Sequence, residues 1–204
     1  MRRVVSMVLT AALVMSMGIA AFAATPSKTT AAAVDATVTT TVDEGTGTIK
    51  FEEPVAEAAK AEAEAQTTAA VQNVVASVNL AAVVGATEKE VVDVAAAKTV
   101  TVAENTLSDN AKITVEMDSA AVEAAYADVK DGTEVTVLAA VPVIDPATGK
   151  QLVDEKGNPV FEYHKVGAVI VNGKVQVKLT GAQIKTLTKN GKSFTLMALT
   201  KAAK

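Results

Sequence analysis

The stretch GAVIVNGKVQVKL, Gly167–Leu179, carries the pattern that decides the fold of this chain. Within Lys174–Leu179 every second residue is valine or leucine, and the residues between them are lysine or glutamine. This is the period-two pattern of a strand with one buried face. Asn172 and Gly173, which precede this run, tolerate the positive φ that both central residues of a type I′ turn require. The stretch therefore predicts a β-hairpin.

Similar alternation recurs on both sides of this hairpin, in short segments separated by Gly, Asn, Asp and Pro. The predicted strands include Lys98–Val102, Ile113–Met117, Val135–Ile144, Val160–Val171 and Phe194–Ala198. Roughly seven or eight strands at this spacing are typical of two packed antiparallel sheets. The predicted fold is mainly β: an immunoglobulin-like β-sandwich over residues 87–204, preceded by an Ala-rich helical segment.

Residues 54–86 form that predicted helical segment. Val71, Val74, Val75 and Val78 recur at i, i+3, i+4 and i+7, which draws one apolar stripe along a helix. Polar residues in the same segment argue against a membrane span, because each would need a hydrogen-bond partner in hydrocarbon: Gln72, Asn73, Ser77 and Asn79. We therefore expect a helix that packs on protein.

Residues 24–53 are rich in Thr and Ala and show no helical period, which predicts a flexible segment. Thr and Val favour extended backbone, so short strands or a hairpin are predicted through Thr37–Val42 and Thr46–Phe51.

Three local patterns predict where short helices begin. Thr180-x-x-Gln183 is a capping box, in which the two side chains satisfy each other's backbone amides. Ser119 is placed to cap a helical turn that carries Val122 and Tyr126 on one side. Thr87-x-x-Glu90 has the same spacing as the capping box, but the valines that follow it equally favour a strand.

Residues 1–23 have the layout of a secretory signal peptide. Arg2 and Arg3 supply a positive start, Val4–Ala20 is apolar, and Ala21-Phe22-Ala23 offers small residues at the −3 and −1 positions. No stop-transfer pattern follows, so we expect cleavage rather than a membrane anchor. The predicted location is outside the cytoplasm, either secreted or in the cell envelope.

The composition excludes several classes of function. The chain has no Cys, which removes disulfides, thiolate metal sites and a cysteine nucleophile. It has no Trp and only 2 Tyr and 4 Phe, so the stacking platforms of sugar-binding and single-strand nucleic-acid-binding proteins are unsupported. Arg2 and Arg3 are the only arginines, and their removal also removes bidentate phosphate clamps. We predict no nucleic-acid partner.

Charge is distributed unevenly along the chain. Removing Arg2 and Arg3 from 19 basic residues leaves 17 lysines against 23 carboxylates, yet every carboxylate lies at or before Glu162. The lysine-rich end predicts a surface for an anionic cell-wall polymer, formed chiefly by Lys174, Lys178, Lys185, Lys189 and Lys192. The alternative is that these lysines lie beside acidic strands of the same domain and neutralise them.

No catalytic or metal site is predicted. His164 is the only histidine, the nearest serine to it is Ser193, and no Gly-x-Ser-x-Gly elbow occurs. One histidine without cysteine is too few ligands for zinc. A calcium site is an alternative, because four residues with oxygen ligands lie in neighbouring loops: Asp145, Asp154, Glu155 and Asn158. Their spacing differs from that of an EF-hand loop, and the same residue types are common in ordinary turns.

The order of signal peptide, Ala/Glu-rich helix and Val/Thr/Lys-rich β domain resembles that of small secreted proteins of Gram-positive anaerobes. The Asp145–Val160 stretch, DPATGKQLVDEKGNPV, is similar to hairpins in immunoglobulin-like modules of bacterial surface proteins. The resemblance implies an extracellular or cell-surface binding role and transfers no functional residue.

The sequence therefore predicts a secreted, non-enzymatic interaction module without a cofactor. Its predicted partner is an anionic cell-wall polymer or another surface protein. The alternative prediction is a self-assembling structural surface subunit, which the Cys-free Ala/Val/Thr/Lys composition and the apolar helix also suit.

Overall fold

The computed structural model describes residues 36–52, 54–88 and 90–203, so the predicted signal peptide lies outside the described residues. The strands are β1 Thr37–Glu44, β2 Ile49–Glu52, β3 Glu90–Asn105, β4 Lys112–Asp118, β5 Glu134–Pro142, β6 Phe161–Val171, β7 Lys174–Thr180 and β8 Ser193–Ala203. The helices are α1 Glu57–Ser77, α2 Leu80–Val84, α3 Ala120–Tyr126 and α4 Gly181–Leu187.

All of these strands belong to one antiparallel sheet with the order β1-β4-β7-β6-β5-β8-β3-β2. Among the described strands, the two end strands each have one partner, β4 for β1 and β3 for β2. The sheet curls until its two ends approach each other, so it is nearly closed like a barrel. We call the gap between β1 on one side and β2 and β3 on the other the seam.

The mainly β prediction is confirmed, but an immunoglobulin-like sandwich is not. A sandwich needs two sheets that pack face to face, whereas the described strands form one continuous hydrogen-bonded sheet. The period-two pattern predicts which face of a strand is buried, but not whether the strands form one sheet or two. One strongly curled sheet buries its inner face, as two packed sheets do.

The predicted hairpin is confirmed. Strands β6 and β7 pair with Val171 opposite Lys174, and the two residues between them have positive φ, 52° at Asn172 and 74° at Gly173. A second anchor holds this turn, because the backbone N–H of Asn172 donates to Asp131 Oδ1 at 2.8 Å.

The concave face of the sheet encloses the main hydrophobic core. Strands β4, β6, β7 and β8 supply fully buried side chains there, among them Ile113, Ile170, Val177 and Phe194. Complete burial of each such side chain contributes about 1.5–3 kcal/mol. These side chains pack together inside the curled sheet.

Helices α3 and α4 add to the same core and begin as predicted. The Ser119 hydroxyl accepts a hydrogen bond from Val122 N at 3.1 Å, which caps α3. At α4, Thr180 N donates to Gln183 Oε1 at 2.8 Å and Gln183 N donates to Thr180 Oγ1 at 3.2 Å, so the capping box is confirmed.

The Thr87-x-x-Glu90 pattern begins a strand instead of a helix. Glu90 Oε2 accepts hydrogen bonds from Thr87 N at 2.7 Å and Thr87 Oγ1 at 2.8 Å, and the backbone then continues extended as β3. The valines after Glu90 decide between the two alternatives, because Val94 is buried against α1 when the segment is extended.

Helix α1 packs on the convex face of the sheet. Its buried face consists of Thr67, Ala70, Val71 and Val74, which contact side chains of β3, β5, β6 and β8. The predicted valine stripe is wrong at Val75, which is 61% exposed, because the packing face runs one position earlier on the helix. None of the helices in the described ranges combines the length and apolar character that a bilayer crossing needs.

Strands β1 and β2 lie close to the two segments for which short strands were predicted, but they do not pair with each other. Thr39 on β1 lies opposite Glu116 on β4, and Phe51 on β2 lies opposite Val102 on β3. In the loop between them, Gly47 has a φ of 103°, and a Cβ there would lie 2.3 Å from Thr106 O, so only glycine lets the loop approach the residue after β3 this closely.

Candidate functional site

The seam is where the sheet lacks continuous hydrogen bonding. Strand β2 ends at Glu52, which lies opposite Thr101 on β3. Beyond that point the edge of β3 faces helix α1 and the start of β1. The backbone N–H of Thr99 on this edge donates to Thr67 Oγ1 of α1 at 3.1 Å. Covering an edge with a helix in this way protects it from pairing with another chain.

A cleft of about 240 Å³ lies at the seam, between the first half of α1 and the sheet. Its apolar lining comes from four elements: Val38 on β1, Phe51 on β2, Ala63 on α1 and Val100 on β3. The Phe51 ring is held edge-on against Phe194, with ring centroids 6.4 Å apart. We call this feature the seam cleft.

Four charged side chains also line the seam cleft: Glu52, Lys60, Glu64 and Lys98. Lys60 Nζ is already paired with Glu57 Oε1 at 2.9 Å. Lys98 is half-buried and makes no side-chain ion pair or hydrogen bond to another described residue. The carboxylates of Glu52 and Glu64 are likewise unpaired in the described part of the chain.

Sequence reasoning missed Lys98, although the alternation contained a signal for it. Lys98 lies two and four residues before Val100 and Val102, so period two puts it on the same, core-facing side of β3. A lysine on the apolar face of a strand departs from the pattern, and this departure is the signal that distinguishes Lys98 from its neighbours.

The structure does not bring the five predicted lysines together as one unpaired cationic surface. Lys174 Nζ lies 2.9 Å from Glu116 Oε1 and 3.1 Å from Asp118 Oδ2, on the outer face of β4 and β7. Hydrogen bonding from Lys174 lowers the pKa of Glu116, and the two carboxylates raise the pKa of Lys174.

Three of the other four lysines also contact carboxylates. Lys185 Nζ lies 2.5 Å from Asp109, Lys189 Nζ lies 2.9 Å from Glu162, and Lys178 Nζ lies 3.9 Å from Asp43. Lys192 has no side-chain partner among the described residues. Acidic side chains from earlier in the sequence therefore neutralise most of the lysine-rich end, as the alternative interpretation of the charge asymmetry predicts.

His164 lies on the concave side of β6, on the same face as Val166 and Ala168 of the core. Its Nε2 lies 3.2 Å from Glu162 Oε1, an ion-pair distance without hydrogen-bond geometry. Ser193 instead contacts Gln66 of α1, which packs on the opposite face of the sheet. The nearest serine in sequence is therefore not brought to the histidine, and no Ser-His pair forms from them.

The carboxylates considered for calcium are occupied by their own turns. Asp145 accepts hydrogen bonds from Ala147 N and the Thr148 hydroxyl, both at 2.9 Å, which lowers its pKa. Asp154 accepts hydrogen bonds from Lys156 N and Asn158 N, both at 2.8 Å, and from Asn158 Nδ2 at 3.0 Å, and its pKa is lowered too. In the described ranges, no group of three or more His, Asp or Glu side chains is arranged to hold a metal ion.

Comparisons of the chain with protein-family models, with curated proteins and with solved structures found no match.

Proposed function

We propose that this protein is an exported, non-enzymatic ligand-binding module and that it binds its partner at the seam cleft. The observation that carries this proposal is Lys98, a half-buried lysine that lines a mostly apolar cleft and has no side-chain partner among the described residues. Export is proposed from the signal-peptide pattern of residues 1–23.

The seam cleft has the composition of a small binding site. Such sites are concave and mainly apolar, and a few placed polar groups orient the ligand. Lys98 supplies one such polar group, because its ammonium carries three donors that a ligand's acceptor oxygens can satisfy.

The anionic-polymer surface stays a prediction, and the ion pairs count against it. Binding a polymer at Lys174 or Lys189 would require the polymer to compete with Glu116 or Glu162 for the same ammonium group. The immunoglobulin-like resemblance implied a binding role at the cell surface. A binding role at the cell surface is compatible with an exported ligand-binding module, and it does not require the two separate sheets of a sandwich.

A thermal-shift screen of the purified chain without its signal sequence tests the proposal. The screen uses defined sets of amino acids, short peptides, saccharides and wall polymers. A ligand present at 100 times its Kd stabilises the folded state by about 2.7 kcal/mol, which raises Tm by several degrees in a chain of this size. We expect at least one set to raise Tm.

Two alanine substitutions on helix α1 locate the binding. Ala63→Leu adds side-chain volume inside the seam cleft, and Ala61→Leu adds the same volume at an exposed position of the same helix. We expect the Tm shift to persist in Ala61→Leu and to vanish in Ala63→Leu. Identical shifts in both variants, or no shift with any set, would contradict the proposal. Growth in particle size with concentration, measured by light scattering on the same samples, would favour the self-assembling subunit instead.

A further inference from the structure

We infer that the seam cleft takes a free α-amino acid with a branched apolar side chain, of which L-leucine is the representative. This inference rests on the proposed function and names the ligand class of the same cleft. Three properties of the cleft support it: its size, its charges and its apolar floor.

The size fits a ligand of about leucine's dimensions. An apolar cavity of about 150 Å³ holds benzene, which has six non-hydrogen atoms, so about 240 Å³ accommodates roughly nine or ten. Leucine has nine non-hydrogen atoms. Pockets for drug-sized ligands measure about 300–1,000 Å³, which is more than this cleft offers.

The charges fit a zwitterion rather than an anion or a cation. Among the described residues, the Lys98 ammonium and the carboxylates of Glu52 and Glu64 have no side-chain partner, and Lys98 forms an ion pair with neither glutamate. A purely anionic ligand would be attracted by the Lys98 ammonium but repelled by the two glutamate carboxylates. A purely cationic ligand would be attracted by the carboxylates but repelled by Lys98. An α-amino acid satisfies both, because its carboxylate accepts from Lys98 and its ammonium donates to the glutamates.

The floor fits an aliphatic side chain. Val38, Phe51, Ala63 and Val100 come from four different elements and supply apolar contacts around one small volume. The Phe51 ring is fixed against Phe194, so it presents a defined surface. The threonine hydroxyls at the cleft are already engaged: Thr67 and Thr99 bond to each other and Thr37 bonds to Asp118 O, which leaves the charged groups to orient the ligand.

Isothermal titration calorimetry of the chain without its signal sequence tests the inference with L-leucine and two analogues. Isoamylamine lacks the carboxylate and N-acetyl-L-leucine lacks the ammonium. We expect L-leucine to bind and each analogue to bind at least about tenfold more weakly, since each loses one charge-assisted contact. This arm needs no variant, so it does not depend on the folding of a mutant chain.

The variant arm compares Lys98→Gln with Lys192→Gln, a lysine that also lacks a partner among the described residues but does not line the cleft. We expect Lys98→Gln to weaken leucine binding at least about tenfold and to make isoamylamine and leucine bind equally, with Lys192→Gln unchanged. Circular dichroism confirms that both variants are folded.

Two results would overturn the inference: no heat of binding with L-leucine, or equal affinity of leucine for Lys98→Gln and Lys192→Gln. The two proposals fail separately. If leucine does not bind but another compound set raises the Tm of Ala61→Leu and not of Ala63→Leu, the binding module stands and the ligand class is wrong. If no compound set gives a Tm shift that is present in Ala61→Leu and absent in Ala63→Leu, both the binding module and the ligand class are wrong.

Discussion

Thr67 on helix α1 and Thr99 on strand β3 form a buried pair, with their hydroxyl oxygens 2.7 Å apart. Thr67 is only 1% exposed, and its hydroxyl lies 2.8 Å from the Ala63 carbonyl of the preceding turn and accepts from the Thr99 amide. Thr99 Oγ1 in turn lies 2.8 Å from Thr195 Oγ1 on β8. One hydroxyl on α1 thus satisfies a backbone amide at an edge that none of the described strands covers.

We expect Thr67→Val to lower the free energy of unfolding by about 1–3 kcal/mol, because it leaves the Thr99 amide without an acceptor in a buried position. Valine matches threonine in shape, so the change removes the hydroxyl with little effect on packing. Urea denaturation followed by circular dichroism measures the loss.

Thr68→Val is the matched control for this change. Thr68 is the next residue on α1, lies partly exposed, and makes no side-chain hydrogen bond to another described residue. A loss at Thr68 equal to that at Thr67 would show that helix propensity, and not the edge amide, determines the effect.

A second contact holds the other half of α1 on the sheet. Tyr163 Oη donates to Asn73 Oδ1 at 2.8 Å, and Asn73 Nδ2 donates to Pro159 O at 2.9 Å. We expect Tyr163→Phe and Asn73→Ala to be coupled by about 0.5–1.5 kcal/mol in a double-mutant cycle, because each removes one partner of the same hydrogen bond.

The same cycle with Gln72→Ala provides its control. Gln72 is the neighbouring helix residue, it is exposed, and it lacks a side-chain partner among the described residues. Its coupling to Tyr163→Phe is expected to be near zero. Denaturant titration of the four chains in each cycle gives both couplings, and equal values would refute the docking role of Asn73.

The features that the sequence predicted correctly depend on residues close together in the chain. The Asn172-Gly173 turn and the Thr180-x-x-Gln183 capping box each need only a few adjacent residues to satisfy their own backbone groups. Contacts with distant parts of the chain therefore have little effect on the conformation of this turn and this capping box. The pattern of Thr87-x-x-Glu90 shows the limit, since its Glu90 carboxylate accepts from the Thr87 amide as in one half of a capping box, while the backbone extends as a strand.

The features that the sequence did not predict depend on which strands become neighbours. Thr40 on β1 lies opposite Val115 on β4, which comes 75 residues later, and alternation states a strand's buried face but not its partner. The seam cleft was missed for the same reason, since its walls come from β1, β2, α1 and β3. Only Lys98 carried a local signal, as a charge on the apolar face of a strand.

Alkaline pH is expected to destabilise the fold through its two tyrosines. Burial raises the pKa of Tyr126, whose hydroxyl donates to Leu199 O at 2.8 Å, and burial also raises the pKa of Tyr163. In the unfolded chain both hydroxyls lose their protons near pH 10. Above that pH the unfolded state binds fewer protons than the folded state, so the stability present below pH 10 is lost as pH rises.

The expected slope is up to about 1.4 kcal/mol per pH unit for each tyrosine. Free energies of unfolding measured between neutral pH and pH 11 give this slope, and Tyr126→Phe is expected to make the decline shallower. The raised pKa values of Lys112 and Lys174 act in the same direction. The difference in slope between the unsubstituted protein and Tyr126→Phe therefore isolates the contribution of Tyr126. Equal slopes in the two proteins would contradict a contribution of Tyr126 to the loss of stability.

The hairpin turn offers a comparison between two glycines. Gly173 has a φ of 74°, in the left-handed region, whereas Gly191 lacks a positive φ, and a Cβ at either position would meet no atom within 4 Å. Steric space is therefore equal, and only the backbone conformation differs. We expect Gly173→Ala to lower the free energy of unfolding by about 1–2 kcal/mol, because alanine is strained at that φ.

Gly191→Ala is expected to be neutral or to stabilise the protein by up to about 1 kcal/mol, because alanine restricts the unfolded chain without straining the folded one. Urea denaturation of the two variants measures both changes. The turn joins β6 to β7 within the sheet, so strain there acts on a pairing whose two strands both bury core residues. Equal losses at the two glycines would show that the left-handed turn does not specify this hairpin.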